Sequence, residues 1–151
     1  MMKHTFLCFP PETAMNFIAN EEGFRACAYR CPAGILTIGF GHTGDVKEHD
    51  VVTLHEAEMY LRDDIEKTMH QLAPFVNVTV TKGQFIALTS LAFNVGPSYV
   101  VQHCPKLMHA LNTGDTEECA RQFLDIVHAN GKRLEGLVKR RERESRLFLE
   151  G

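Results

Sequence analysis

Residues 21–45 read EEGFRACAYRCPAGILTIGFGHTGD. Two glutamates stand against Gly23, and glycine is the residue that ends a helix in the position after its C-cap. Upstream, Pro10-Pro11 stops whatever precedes it, and Pro11 suits the first turn of a helix. Met15, Ile18 and Ala19 follow at helical spacing with Phe17 beside them, so a helix is expected from Pro11 to about Glu22. Beyond it, residues 24–42 combine aromatic and β-branched residues with Pro32 and with glycines at 34, 39 and 41, the signature of a small antiparallel hairpin. Side chains alternate along its second strand, residues 35–40. Leu36, Ile38 and Phe40 share a face suited to a core, while Ile35, Thr37, Gly39 and Gly41 share the other. A strand face lined by glycine lets a ligand approach the backbone, and a long polymer has room there. The plain alternative is that these glycines only permit a bend.

The rest of the chain is read outward from this hairpin. Thr53-Leu54-His55-Glu56 is a capping box, and Leu54, Ala57, Leu61, Ile65 and Leu72 follow at helical spacing, giving a long helix to about Leu72 that Pro74 ends. Thr81-Lys82-Gly83-Gln84 is a second capping box. The helix after it, FIALTSLAFNV, is apolar nearly all round and is expected at the centre of the molecule. Acids after Asp115 suit the first turn of another helix, through about Ala129. Gly131 and Gly136 flank a loop, and a last helix runs from about Leu137 to Leu149. There are no repeats and no low-complexity linker. The order is helix, small sheet, long helix and a mostly helical second half. This is an α+β chain in which a small β-lobe, about residues 24–52, is joined by a long helix to a helical lobe, about residues 74–151 plus the N-terminal helix. A cleft between lobes is the default place for a site.

Composition narrows the function. A chain of 151 residues with 44% hydrophobic and 23% charged residues is long enough to bury a real core. Its net charge of −3 does not suggest nucleic acid. The five cysteines, Cys8, Cys27, Cys31, Cys104 and Cys119, are an odd count that argues against a disulfide scaffold. Cys27 and Cys31 have no matching pair of zinc ligands. The N-terminal apolar run is short and is broken by Pro10-Pro11, too little for a signal h-region or a membrane span. The protein is therefore expected to stay in the cytosol where it is made unless something else releases it, with no stable membrane insertion. Eight histidines invite a metal reading, but no ligand spacing accompanies His42, so no metal and no cofactor are expected.

One residue in the opening stretch carries candidate chemistry. Glu22 sits where the negative end of its helix disfavours a carboxylate. Burial between lobes would disfavour it further and raise its pKa, which suits a general acid. The bland alternative is a solvated glutamate beside Glu21. Phe93 and Asn94, at the end of the apolar helix, suit a cleft lining equally with a core Phe and a helix-ending Asn. The run from Lys132 to Arg146 holds seven basic and three acidic residues, read as a solvated helix face with some attraction for an anionic cell wall.

The stretch resembles the active-site signature of phage-type lysozymes, the endolysins of lambdoid and T-even phages. That signature is a Glu, eight residues, an Asp or Cys, five residues and a Thr, which falls here on Glu22, Cys31 and Thr37. The resemblance continues through SLAFNVG (90–96), LNTGD (111–115) and GLVKRRERESRLF (136–148). It implies the two-lobed lysozyme-like fold and hydrolysis of the β-1,4 bond between N-acetylmuramic acid and N-acetylglucosamine in peptidoglycan. It further implies Glu22 as the acid, Cys31 as base or charge stabiliser, and Thr37 orienting the attacking water. Gly39, Gly41, Phe93 and Asn94 are expected to line the substrate groove. The resemblance also implies a monomer held in the host cytoplasm, acting on the cell wall after release through a holin-type protein. A lytic transglycosylase and a catalytically inactive glycan-binding module are the alternatives. Lysozymes of this kind resemble one another in pairing the histidine equivalent to His42 with an aspartate on the long helix, which is Asp64 here. Such a pair is expected to raise the histidine pKa and depress that of the aspartate.

Overall fold

A computed structural model describes residues 2–151. Helix α1 spans Glu12–Glu22, with Pro11 as its N-cap rather than its first residue. Strands β1 (Arg25–Arg30) and β2 (Leu36–Gly39) form the expected antiparallel hairpin, with Tyr29 opposite Thr37 and Arg30 opposite Leu36. The long helix α2 runs Leu54–Leu72 and opens on the capping box expected at Thr53 and Glu56. Helix α3, Lys82–Val95, opens on the second box at Thr81 and Gln84. In each box the threonine hydroxyl accepts from the backbone N–H three residues on, and the Glu or Gln side chain accepts from the threonine N–H. Two amide protons that the helix itself leaves unpaired are satisfied at each start.

The second half holds more pieces than the pattern suggested. Helices α4 (Pro97–His103) and α5 (Pro105–Asn112) each begin on a proline. Proline has no amide proton to lose at that position, and its φ is already helical. Helix α6 spans Thr116–Phe123, capped by Asp115, and stops well short of Ala129. The chain then makes a two-stranded ribbon, β3 (His128–Ala129) and β4 (Lys132–Arg133). Asn130 and Gly131 connect the two strands at φ 53° and 75°, the conformation of a two-residue hairpin turn. Helix α7 follows at Glu135–Glu150, two residues ahead of the expected start and with Gly136 inside its first turn.

A single hydrophobic cluster joins these parts. It takes Ile18 from α1, Ile38 and Phe40 from the hairpin side, Leu61 and Ile65 from α2, Leu88 from α3 and Phe148 from α7. Helix α3 is buried from Gly83 to Ala92 and packs on α7, α1 and α2, as its all-round apolar sequence requires. Leu54 departs from the expected stripe. It is 53% exposed, because the helix start lies beyond the edge of the core. The result is the α+β, two-lobed architecture with a β-hairpin lobe, a long joining helix and a helical lobe. Among the described residues no helix is long and apolar enough to cross a membrane.

Candidate active site

Glu22 is the last residue of α1. Gly23 turns the chain away at φ 73°, its N–H bonding the Ala19 carbonyl at 2.9 Å. The Glu22 side chain is 18% exposed, at the margin of the core. Its Oε2 accepts from Nη1 of Arg140 on α7 at 2.6 Å, a partner that lies 118 residues along the chain. Arg140 is itself held: Nε donates to Glu144 Oε2 at 3.2 Å, and Nη2 donates to the carbonyl and the hydroxyl of Ser90, each at 3.2 Å. Immediately before it on α1, Glu21 takes a two-pronged pair from Arg143 at 2.6 and 2.7 Å. Two adjacent carboxylates at one helix end are thus matched by two arginines of another helix.

Most charges of residues 132–146 are exposed, as the solvated-face reading expects, but three are not. Arg140, Arg141 and Glu144 are buried, on a stripe with Ser145 and Phe148. The charges lie on the core-facing side of α7 at helical spacing, where a pattern of apolar residues alone could not reveal them. Arg140 and Arg141 are the site residues that sequence reasoning missed. The spacing of Arg140, Glu144 and Phe148, four residues apart, was the available signal.

The glycines have unequal roles. Gly41 stands at φ 79°, and a Cβ built on it would lie 2.8 Å from Glu22 Oε1. Glycine at 41 therefore makes room for the carboxylate. Gly39 is buried at φ 66°, and a Cβ there would meet the Ala57 Cβ of α2 at 3.0 Å. On that side α2 packs against Gly39, so glycine there makes room for the helix. Thr37 is only 3% exposed, so the strand face read as open is closed along its middle.

Cys31 ends the first strand in a tight turn, its N–H bonding the Ile35 carbonyl at 3.0 Å and its carbonyl accepting from Gly34 at 2.8 Å. Hydrogen bonding from the Ile35 backbone, aided by that of Ala33, holds the Cys31 thiol below the usual cysteine range against a smaller desolvation. The Thr37 hydroxyl donates to the Ile35 carbonyl at 2.9 Å. Tyr29 stands opposite Thr37, with the Arg25 guanidinium 4.1 Å over its ring. Burial raises its phenol, Arg25 opposes, and the charges of Glu22 and Cys31 raise it further. All five cysteines are free thiols.

At the end of α3, Phe93 is half-buried and packs against the core. Asn94 is exposed along its edge, with Oδ1 accepting from Arg141 Nη2. The structure ties Asn94 to the arginine cluster and gives Phe93 the packing role.

His42 follows Gly41 and joins the hairpin lobe to α2. Its Nδ1 lies 2.7 Å from Asp64 Oδ2 and its Nε2 2.9 Å from Asp45 Oδ1. The Tyr60 ring stacks on it at 4.4 Å with planes 7° apart. Burial pulls the histidine down, but the hydrogen bonds to Asp64 and Asp45 outweigh it, and the net shift is upward, as expected. The expectation for Asp64 is corrected. Burial is the larger influence and raises its pKa despite the opposing hydrogen bond from His42. The depressed carboxyl is that of Asp45, lowered mainly by its hydrogen bond to His42.

A family profile described as Phage lysozyme matches residues 19–144. An endolysin of Acyrthosiphon pisum secondary endosymbiont phage 1 is 38% identical over 141 residues, covering 91% of this chain and 95% of its own. The endolysin of Bacillus phage B103 is 38% identical over 143 residues and covers 93% of this chain, which spans 54% of that protein's length. Among solved structures, the muramidase domain of SpmX from Asticaccaulis excentricus superposes with a TM-score of 0.82 at 31% identity, over 90% of this chain and 94% of that one. The chain belongs to the phage lysozyme family.

Proposed function

We propose that this protein is an endolysin muramidase that hydrolyses the β-1,4 bond between N-acetylmuramic acid and N-acetylglucosamine in peptidoglycan and so lyses bacterial cells. One observation carries the reading. The Glu22 carboxyl at the end of α1 lies against Gly41 of the hairpin lobe and is held by Arg140 of α7. Glu22 donates its proton to the glycosidic oxygen as that bond breaks. A water attacks the opposite face of the sugar and gives up a proton to the base. Cys31, whose thiolate is favoured by its hydrogen bonds, takes that proton or balances the positive charge developing on the sugar. Thr37, on the strand opposite Tyr29, orients the water. Gly41 and Asn94 border the groove. The 151 residues act as one lysozyme-like domain and as a monomer. The enzyme waits in the host cytoplasm until a holin-type protein admits it to the wall.

The test is product analysis. Mass spectrometry of digested peptidoglycan is expected to show reducing sugar ends, and Glu22→Gln is expected to abolish them while leaving the fold and glycan binding intact. Anhydro ends would mean a transglycosylase. Wild-type rates in Glu22→Gln would overturn the assignment of the acid.

A further inference from the structure

We propose that Glu144, a carboxylate with no solvent exposure, is a positioning residue for the site, acting on Glu22 through Arg140 and on Asn94 through Arg141. The proposal rests on the muramidase reading above and assigns that site a buried anionic hub.

A buried carboxylate is costly unless every oxygen is partnered. Glu144 meets that demand: Oε2 accepts from the Ser90 hydroxyl at 2.5 Å and from Arg140 Nε at 3.2 Å, while Oε1 accepts from Arg141 Nη1 at 2.5 Å. The two arginines then leave in different directions. Arg140 carries Nη1 to Glu22 Oε2 at 2.6 Å. Arg141 carries Nη2 to Asn94 Oδ1 and donates from Nε to the Ile126 carbonyl at 2.8 Å. A guanidinium is a rigid planar fork, so holding some of its donors fixes where the others point. Glu144 holds Nε of Arg140, and Ser90 holds Nη2 with two oxygens. Nη1 is left with a single direction, toward Glu22.

Packing alone does not call for this arrangement. Apolar side chains of similar volume fill such a space without the desolvation of two cations and an anion, and often do so with equal or greater stability. What the cluster supplies is direction. Arg140 divides its charge between Glu144 and Glu22. Without the Glu144 charge, its guanidinium loses the contact that fixes its plane and is free to shift against Glu22 or to swing away from it. Either change removes a positioned proton donor while leaving the groove that binds glycan untouched.

The experiment is steady-state kinetics on solubilised peptidoglycan strands, for the full chain and its variants, well below every measured melting temperature. Glu144→Gln is expected to lower kcat about tenfold or more with KM nearly unchanged, because a small misplacement of a catalytic group is enough to do this. Ser90→Ala, which removes one partner of Glu144 and leaves its charge, is expected to lower kcat in the same direction by a smaller factor. Adding Glu144→Gln to Arg140→Lys is expected to cost no more than about twofold beyond Arg140→Lys alone, since both changes interrupt one chain of contacts. A wild-type kcat in Glu144→Gln overturns the proposal, as does a full, multiplicative loss in the double variant. If Glu144→Gln does not fold, Ser90→Ala decides: an unchanged kcat overturns the proposal and a lowered kcat at constant KM supports it. Failure of the muramidase reading looks different, because the wild type itself then releases no reducing ends.

Discussion

In the proposed mechanism Cys31 and Gly41 both bear on the local chemistry, and the opening stretch names each of them without showing its surroundings. Cys31 stands where part of the family carries an aspartate, so its value depends on how readily it ionises. The Ile35 backbone and its neighbours lower the thiol, which shifts the thiolate toward the pH at which a base is useful. Alkylation of Cys31, followed by peptide mapping across pH, is expected to show its rate rising below the usual cysteine range and to track loss of activity. Cys31→Asp is expected to keep activity and Cys31→Ala to lose most of it; full activity in Cys31→Ala would remove residue 31 from the chemistry. Gly41 gives a second prediction. Alanine there is strained at φ 79°, and its Cβ would crowd the Glu22 carboxyl at 2.8 Å. The backbone cost is about 1–2 kcal/mol, modest beside the displacement of the proposed acid. Gly41→Ala is expected to lower activity by about tenfold or more with only a small fall in melting temperature. If the two fell together, the glycine would serve only the turn.

Helices announce themselves by their ends. Thr53 and Thr81 with their partners three residues on were legible because a capping box is a local device, complete within four residues. Helix α3 was legible because ten consecutive buried residues leave no polar face to mislead. Helices α4 and α5, of seven and eight residues, went unassigned because so short a stretch barely shows a period. The sequence pattern carries a helix over β3, to about Ala129, and reads β4 as loop, because each strand is only two residues long, although Asn130-Gly131 carries a turn signal. The roles of α7 were illegible for another reason: whether a charge is buried depends on residues far away in sequence, and Arg140 finds Glu22 only after the chain has folded. Helix α3 also holds one imperfection. Thr89 is fully buried, and its hydroxyl is the single buried side-chain polar atom without a partner among the described residues. An unsatisfied hydroxyl costs about 1–3 kcal/mol. Thr89→Val is expected to raise the melting temperature by a few degrees, about 2–4 °C for each kcal/mol recovered. A fall would show that the hydroxyl is satisfied in solution.

Across the whole molecule, the hairpin lobe must hold its place on α2 if Gly41 is to stay against Glu22, and His42 is the clamp. Both of its ring nitrogens face carboxylate oxygens, which accept and cannot donate, so the arrangement is complete only when the ring carries both protons. The pairing of His42 with Asp64 was foreseen from resemblance, but the upward shift of Asp64 was not, because its cause is burial by the folded chain. That correction changes the pH dependence. His42 is raised in the folded state, so its contribution is complete below its unfolded pKa and is lost as pH rises through its folded value. Asp64 is raised too, so its ionisation likewise erodes stability as pH climbs past the ordinary carboxylate range. Asp45 is lowered, so its share is present above its unfolded pKa and lost as pH falls through its folded value in acid. Asp45 is 80% exposed, and solvent leaves its share small. The melting temperature is therefore expected to peak at mildly acidic pH and to decline as His42 loses its proton above its ordinary range. With side chains 13% and 22% exposed, the His42–Asp64 pair is buried enough that losing one partner costs ~3–5 kcal/mol. His42→Asn is expected to melt about 10 °C lower at mildly acidic pH and to lose the decline toward alkaline pH, since the titrating group is gone. Its activity at low temperature is expected to survive, because the histidine lies on the lobe junction and does not contact Glu22. A melting curve that keeps its alkaline slope in His42→Asn would place the titration elsewhere. Inactivity with an unchanged melting temperature would make His42 part of the chemistry and not of the clamp.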